Sequence, residues 1–123
     1  MIAALRATLA AALFLTACAH VTAEAAPRPE TGLASFYGDE FQGRPTASGQ
    51  PYDGRRLTCA HRSHPFGAWL EVVNLENGRK VRVMVNDRGP FVKGRVVDLS
   101  REAARQLGIT GRGLARVRVA RVG

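Results

Sequence analysis

Asp87 is the carboxylate best placed to do chemistry in this chain. It closes the run Val81-Arg82-Val83-Met84-Val85-Asn86-Asp87 and is followed at once by Arg88-Gly89-Pro90-Phe91. A carboxyl group presented at the end of a strand by a sharp turn can give up a proton and take it back, the work of a general acid and base. It can also do no more than hydrogen-bond the turn, as aspartates often do, and the local sequence leaves both roles open. To act as an acid at neutral pH it would need a raised pKa, since an ordinary aspartate titrates near about 3.9. Arg88 would oppose that rise if the two side chains met. Successive strand residues point to opposite faces, so Arg88 is expected to face away, to bind a substrate carboxylate or to brace the turn.

His61 is the second titratable candidate. Beside Asp87 it would orient the carboxyl or share its proton, whereas as a strand-end histidine it would only be hydrogen-bonded. Cys59, His61 and His64 lie close together in sequence, but they lack a convincing fourth metal ligand, and the thiol packs more simply inward as a small hydrophobe. No metal or other cofactor is expected. Tyr37, Tyr52 and Trp69 offer flat apolar faces with polar edges, suited to stacking on sugar rings or equally to packing in the core or at a rim.

These side chains need a scaffold, and the hydrophobic pattern supplies one. Val81, Val83 and Val85 alternate at period two, the mark of a half-buried strand. A turn at Asn77-Gly78 precedes it, and before that Ala68 to Asn74 reads as a strand with Leu70 and Val72 inward and Trp69, Glu71 and Val73 outward. Gly32 to Gly38, Leu57 to His61 and Arg95 to Leu99 supply further short strands, and Asp39 to Gly54 forms a loop long enough to be functional. A helix is expected after Ser100 as its N-cap, with Glu102 in the first turn, Ala103, Ala104 and Leu107 on its apolar face and Gly108 ending it. Leu114, Val117, Val119 and Val122 belong to a last strand, whose interleaved Arg116, Arg118 and Arg121 are expected to blunt a sheet edge. Short strands with one late helix suggest a small β-barrel.

The N-terminus sets the compartment. Arg6 precedes the apolar run from Ala7 to Leu15, which falls short of the roughly 20 residues that span a bilayer, so it reads as a signal peptide. Two cleavage patterns are present: Leu15-Thr16-Ala17-Cys18 has the form of a bacterial lipobox, which would lipidate Cys18, and Ala23-Glu24-Ala25 fits an ordinary small-x-small site. The lipobox is preferred because Cys18 directly follows the apolar run. The division is then a leader over 1–17, a flexible tether over 18–30 and one domain over 31–123. Cys18 is lipidated or removed and cannot pair with Cys59, which excludes a disulfide scaffold. A formal charge of +8 calls for an acidic partner, and export argues against nucleic acid. An acidic polymer of the cell envelope remains as the expected partner, together with the membrane reached through the lipid.

Read as a set, Gly32-x-Ala34-Ser35-Phe36-Tyr37-Gly38, Thr46-Ala47-Ser48-Gly49, Leu57-Thr58-x-Ala60-His61, Pro65-Phe66-Gly67, Asn74-Leu75-x-Asn77-Gly78, Asn86-Asp87-Arg88-Gly89-Pro90-Phe91 and Asp98-Leu99-Ser100 resemble the rare lipoprotein A (RlpA) family, in order and across Thr31 to Val122. The resemblance implies a six-stranded double-psi β-barrel, the fold also of expansins. It also implies a lytic transglycosylase acting on peptidoglycan strands stripped of stem peptides, and it strengthens the lipobox reading. The family's functional positions fall on Asp87, on His61 and on the residue after Thr46-Ala47-Ser48-Gly49. That residue is commonly Glu in the family and is Gln50 here, an amide that cannot exchange a proton. Asp53, three residues along the loop, is the alternative source of a second carboxylate. Family members often carry a C-terminal glycan-binding domain, and none is expected within this sequence. Two functions therefore stand side by side: an enzyme using Asp87 with His61 in support, and a non-cleaving, expansin-like wall binder in which Gln50 marks lost turnover.

Overall fold

The computed structural model describes residues 28–123. The leader, Cys18 and most of the tether lie outside the described residues. Strand β1 (Glu30–Phe36) is followed by a single 3-10 turn at Asp39–Phe41, then β2 (Thr58–Ala60), β3 (Trp69–Asn74), β4 (Lys80–Asp87), β5 (Arg95–Leu99), α1 (Arg101–Leu107) and β6 (Ala115–Arg121). The strands close into a barrel in the order β1-β5-β2-β4-β3-β6. Two ladders, β1 with β5 and β2 with β4, are parallel, and the other four are antiparallel. This is the expected six-stranded double-psi β-barrel.

Alternation puts Leu70, Val72, Val81, Val83 and Val85 inside, with Val97, Leu99, Val117 and Val119 from the facing strands. Cys59 is fully buried among them as a free thiol. Burial, and then the charge of Asp98, pushes that thiol well above the usual cysteine range, which makes it a packing group rather than a nucleophile. Gly32 is required by close approach: a Cβ there would lie 2.6 Å from Val96 Cγ1. Helix α1 is too short to stand alone and is held by burying Ala103, Ala104 and Leu107. Ser100 caps it by accepting from Ala103 N at 3.3 Å, and Gly108 leaves it at φ 77°. A cap of this kind stabilises a helix by about 1 kcal/mol. Among the described residues no helix is long and apolar enough to cross a membrane.

Three expectations change. The first strand begins at Glu30, two residues before the expected Gly32, and Glu30 already pairs with Val119 in β6. The last strand is shorter than expected, leaving Leu114 and Val122 exposed beyond its ends. Strand β6 also lies between β1 and β3, so Arg116 and Arg118 decorate the outer face of a central strand, Arg121 is exposed as its last residue, and none of them has an edge to blunt.

Candidate active site

Asp87 reaches the surface through a bulge. In the parallel ladder of β2 with β4, Cys59 opposes Val85 and Ala60 opposes Asp87, so Asn86 is the extra residue. Strict alternation would send the Asp87 side chain to the inner face with Val85. The bulge instead places Val85 and Asn86 both inside and leaves Asp87 half-buried at the barrel end, as bulges beside functional sites commonly do.

The carboxylate accepts from Ala47 N at 2.8 Å and Arg88 N at 2.9 Å on Oδ1, and from the Tyr37 hydroxyl at 2.5 Å on Oδ2. The first of these donors explains the long loop. Its arms pair through Gly43 N to Tyr52 O at 2.9 Å and Tyr52 N to Arg44 O at 2.8 Å, its tip closes through Thr46 N to Gln50 O at 2.9 Å, and Ser48 N docks on Asn86 O at 3.3 Å. The Thr46-Ala47-Ser48-Gly49 segment thus serves to carry one backbone N–H to Asp87. Tyr37 is set by Tyr52, on which it stacks with centroids 4.5 Å apart, and by the edge of Phe41 at 5.6 Å. Burial first, then the hydrogen bond to Asp87 and its charge, push the Tyr37 phenol well above the usual tyrosine range. Tyr37 therefore keeps its proton at neutral pH, and its hydroxyl can donate to a carboxylate or accept from a carboxylic acid.

Several expected site residues have other work. Tyr52 is 3% exposed and its hydroxyl accepts from Arg101 N at 3.1 Å, so it is a platform under Tyr37 and not a sugar-stacking face. Trp69 is exposed but lines a separate depression with Arg82, Val122 and Gly123. Arg88 does face away from Asp87. Its Nη1 donates to His61 O at 3.2 Å and His64 O at 2.9 Å, and its guanidinium lies 4.1 Å over the Phe66 ring, so it braces the turn. His61 is the largest correction, because its buried ring is turned from the carboxyl it was expected to orient. Nε2 meets Glu30 Oε1 at 2.6 Å, while Nδ1 accepts from Ser63 N and His64 N, both at 3.1 Å. Only main chain joins it to the site, His61 N donating to Asp87 O at 3.2 Å. Gln50 is exposed, and its Oε1 accepts from Asn86 Nδ2 at 3.3 Å. Asp53 is no substitute carboxylate, since Arg55 holds it at 3.1 Å and keeps its carboxyl well below the usual range.

Glu30, His61 and His64, rather than Cys59, form the cluster whose ligand atoms lie within 4.8 Å of one another. The two backbone N–H groups on His61 Nδ1 assign the ring proton to Nε2, the atom that faces Glu30. A metal at Nε2 would have to displace that proton, and the donor set suits the hydrogen bond better.

Sequence reasoning passed over a second carboxylate in the groove wall. Asp98 is bonded to Ser35 Oγ, which also accepts from Arg95 Nε at 3.1 Å, and Arg95 Nη2 lies 3.8 Å from Asp98. Asp98, Ser35 and Arg95 share a cleft with Asp87 and Tyr37. The Asp98-Leu99-Ser100 motif was the available signal.

The family model described as Lytic transglycolase matches residues 29–119. The endolytic peptidoglycan transglycosylase RlpA of Pasteurella multocida is 53% identical over 96 residues, covering 78% of this chain and 33% of that protein. The probable endolytic peptidoglycan transglycosylase RlpA of a Nostoc species is 57% identical over 90 residues, covering 72% of this chain and 24% of that protein. The chain therefore spans a third or less of the length of these curated relatives. Among solved structures, Streptomyces papain inhibitor superposes with a TM-score of 0.65 at 27% identity, covering 80% of this chain and 97% of that one. The apo expansin of Clavibacter michiganensis superposes at 0.61 with 28% identity, covering 78% of this chain and 51% of that one. A closed double-psi barrel, a matching family model and relatives about half identical over the same residues lead to one assignment: the chain belongs to the lytic transglycolase family, among the RlpA proteins.

Proposed function

We propose that this domain cleaves naked peptidoglycan strands endolytically, between N-acetylmuramic acid and N-acetylglucosamine, leaving a 1,6-anhydro end. The observation that carries the reading is the Asp87 carboxyl, fixed by Tyr37, Ala47 and Arg88 in an open cleft. Breaking a glycosidic bond needs a proton on the leaving oxygen while an oxocarbenium-like centre forms. Asp87 donates that proton from Oδ2, the oxygen that meets the Tyr37 hydroxyl. The carboxylate so formed then removes the proton of the muramyl 6-hydroxyl, whose oxygen attacks the anomeric carbon and closes the anhydro ring. The nucleophile is already part of the substrate, so one carboxyl serves both transfers, with the proximity advantage of an intramolecular step. Incubating the protein with naked strands tests the function: shortened strands support cleavage. Binding without shortening would support the expansin-like alternative, which the exposed amide at Gln50 and the expansin fold favour.

Position 50 offers a graded test. A carboxylate in place of the Gln50 amide would sit against the neighbour of Asp87 and favour its protonated form by like-charge repulsion. Gln50→Glu is expected to raise cleavage severalfold with little change in stability, because the side chain is exposed. An unchanged rate would remove position 50 from the account of turnover.

The envelope location belongs to the same proposal: the chain is tethered to a membrane by a lipidated Cys18 and faces the periplasm. Intact-mass measurement of native protein is expected to give a mature chain starting at diacylglyceryl-modified Cys18. An unmodified start at Ala26 would make it a soluble exported protein.

A further inference from the structure

Three clefts run into one another along the face that carries Asp87. The first, about 280 Å³, lies between Arg44, Thr46, Tyr37, Phe41 and Asp87. It shares Tyr37, Phe41 and Asp87 with a second of about 280 Å³ that adds Ser35, Arg95 and Asp98. That one shares Ser35, Phe36 and Arg95 with a third of about 610 Å³, walled by Leu33, Val92, Lys93 and Leu114. Through the side chains they share, the three make a single open groove.

Its charges are not spread evenly. Arg95 is shared between Ser35 and Asp98 within the groove, and Arg88 is spent on backbone carbonyls. Among the described residues no carboxylate pairs with Arg44 or Lys93, and both are exposed. Arg44 stands 5.2 Å over the Phe41 ring at one end of the groove. Lys93 stands at the other, beside the exposed apolar side chains of Val92 and Leu114. An uncompensated cation next to an apolar surface at each end of an extended cleft suits a chain that repeats both an anion and an apolar group. The separate cleft around Arg55, Arg101 and Arg105 lacks this property, because those arginines are already paired with Asp53, Asp39 and Glu102.

We propose that Arg44 and Lys93 read the free lactyl carboxylates of muramyl sugars on the two sides of the cleavage point, with Leu114 and Val92 against the sugars' apolar substituents. The proposal rests on the glycan-cleaving reading above and gives it a physical selectivity. A stem peptide converts each lactyl carboxylate to an amide, which removes the partner of both cations and adds bulk. Stripped strands restore the charge. Chitin-type strands never carry it.

The test measures equilibrium binding to the full chain carrying Asp87→Asn, so that the ligand is not consumed. The probes are an alternating N-acetylglucosamine–N-acetylmuramic acid oligosaccharide with free lactyl carboxylates, the same oligosaccharide with those groups converted to methylamides, and a chitin oligosaccharide of equal length. At low salt the free acid is expected to bind about tenfold more tightly than either neutral ligand, with the margin shrinking as salt screens the pairs. Adding Arg44→Gln or Lys93→Gln is expected to weaken binding of the acid roughly threefold each, as exposed pairs do, and to leave the methylamide unchanged. Thermal unfolding of the variants should match the parent, since both side chains are solvated. Equal affinity for acid and methylamide, or no effect of either added substitution, would overturn the proposal while leaving the glycan reading intact. Failure of all three oligosaccharides to bind would remove both.

Discussion

Asp87→Asn is expected to cut the cleavage of naked glycan strands by at least about a hundredfold, the loss typical of a missing general acid. The substitution isolates proton transfer because the amide can keep every bond of the carboxylate. Its oxygen still accepts from Ala47 N and Arg88 N, and its nitrogen meets the Tyr37 hydroxyl, which has only to turn and accept. Folding stability and glycan affinity should therefore change little. Near-normal turnover by the folded variant would assign Asp87 to holding the turn and the loop tip, and would remove the mechanism proposed above.

Leu99→Ala is expected to destabilise the fold by about 2–5 kcal/mol, the range for leucine deletions in a packed core. Leu99 is fully buried, opposes Cys59 and Phe36 in its two ladders, and its carbonyl accepts from Tyr37 N at 3.0 Å. With few large side chains inside so small a barrel, that loss takes a large part of the roughly 5–15 kcal/mol that holds a typical domain together. Denaturant unfolding checks it. The midpoint should fall at unchanged slope, whereas a midpoint within error of the parent would show that the barrel can collapse around the missing side chain.

What the sequence made legible follows from how local each signal is. The helix could be read residue by residue, because Ser100, Glu102, Leu107 and Gly108 each act within one or two turns of themselves, and all take the expected places. The valines of β4 announced its inner face in the same way. Alternation failed at Asn86, where a bulge reverses the faces, and no local rule marks that residue as the extra one. The role of the Thr46-Ala47-Ser48-Gly49 loop was illegible for a related reason. The contribution to Asp87 comes from a backbone N–H of alanine, which has no side-chain signature and acts across 40 positions of sequence. His61 misled because its type suggests proton chemistry, and only the tertiary partner Glu30, 31 positions away, shows where the ring points. The Arg116, Arg118 and Arg121 pattern misled because edge and central strands look alike until closure of the barrel is known.

Product analysis after cleavage in heavy-oxygen water tests the single-carboxyl mechanism most directly. In it the attacking oxygen comes from the muramyl 6-hydroxyl and water takes no part. Mass spectrometry should then find new chain ends that carry no heavy oxygen and are lighter than a reducing end by one water. Reducing ends bearing one heavy oxygen for each bond broken would contradict it, because they require water as the nucleophile and therefore a second group, besides Asp87, to activate it.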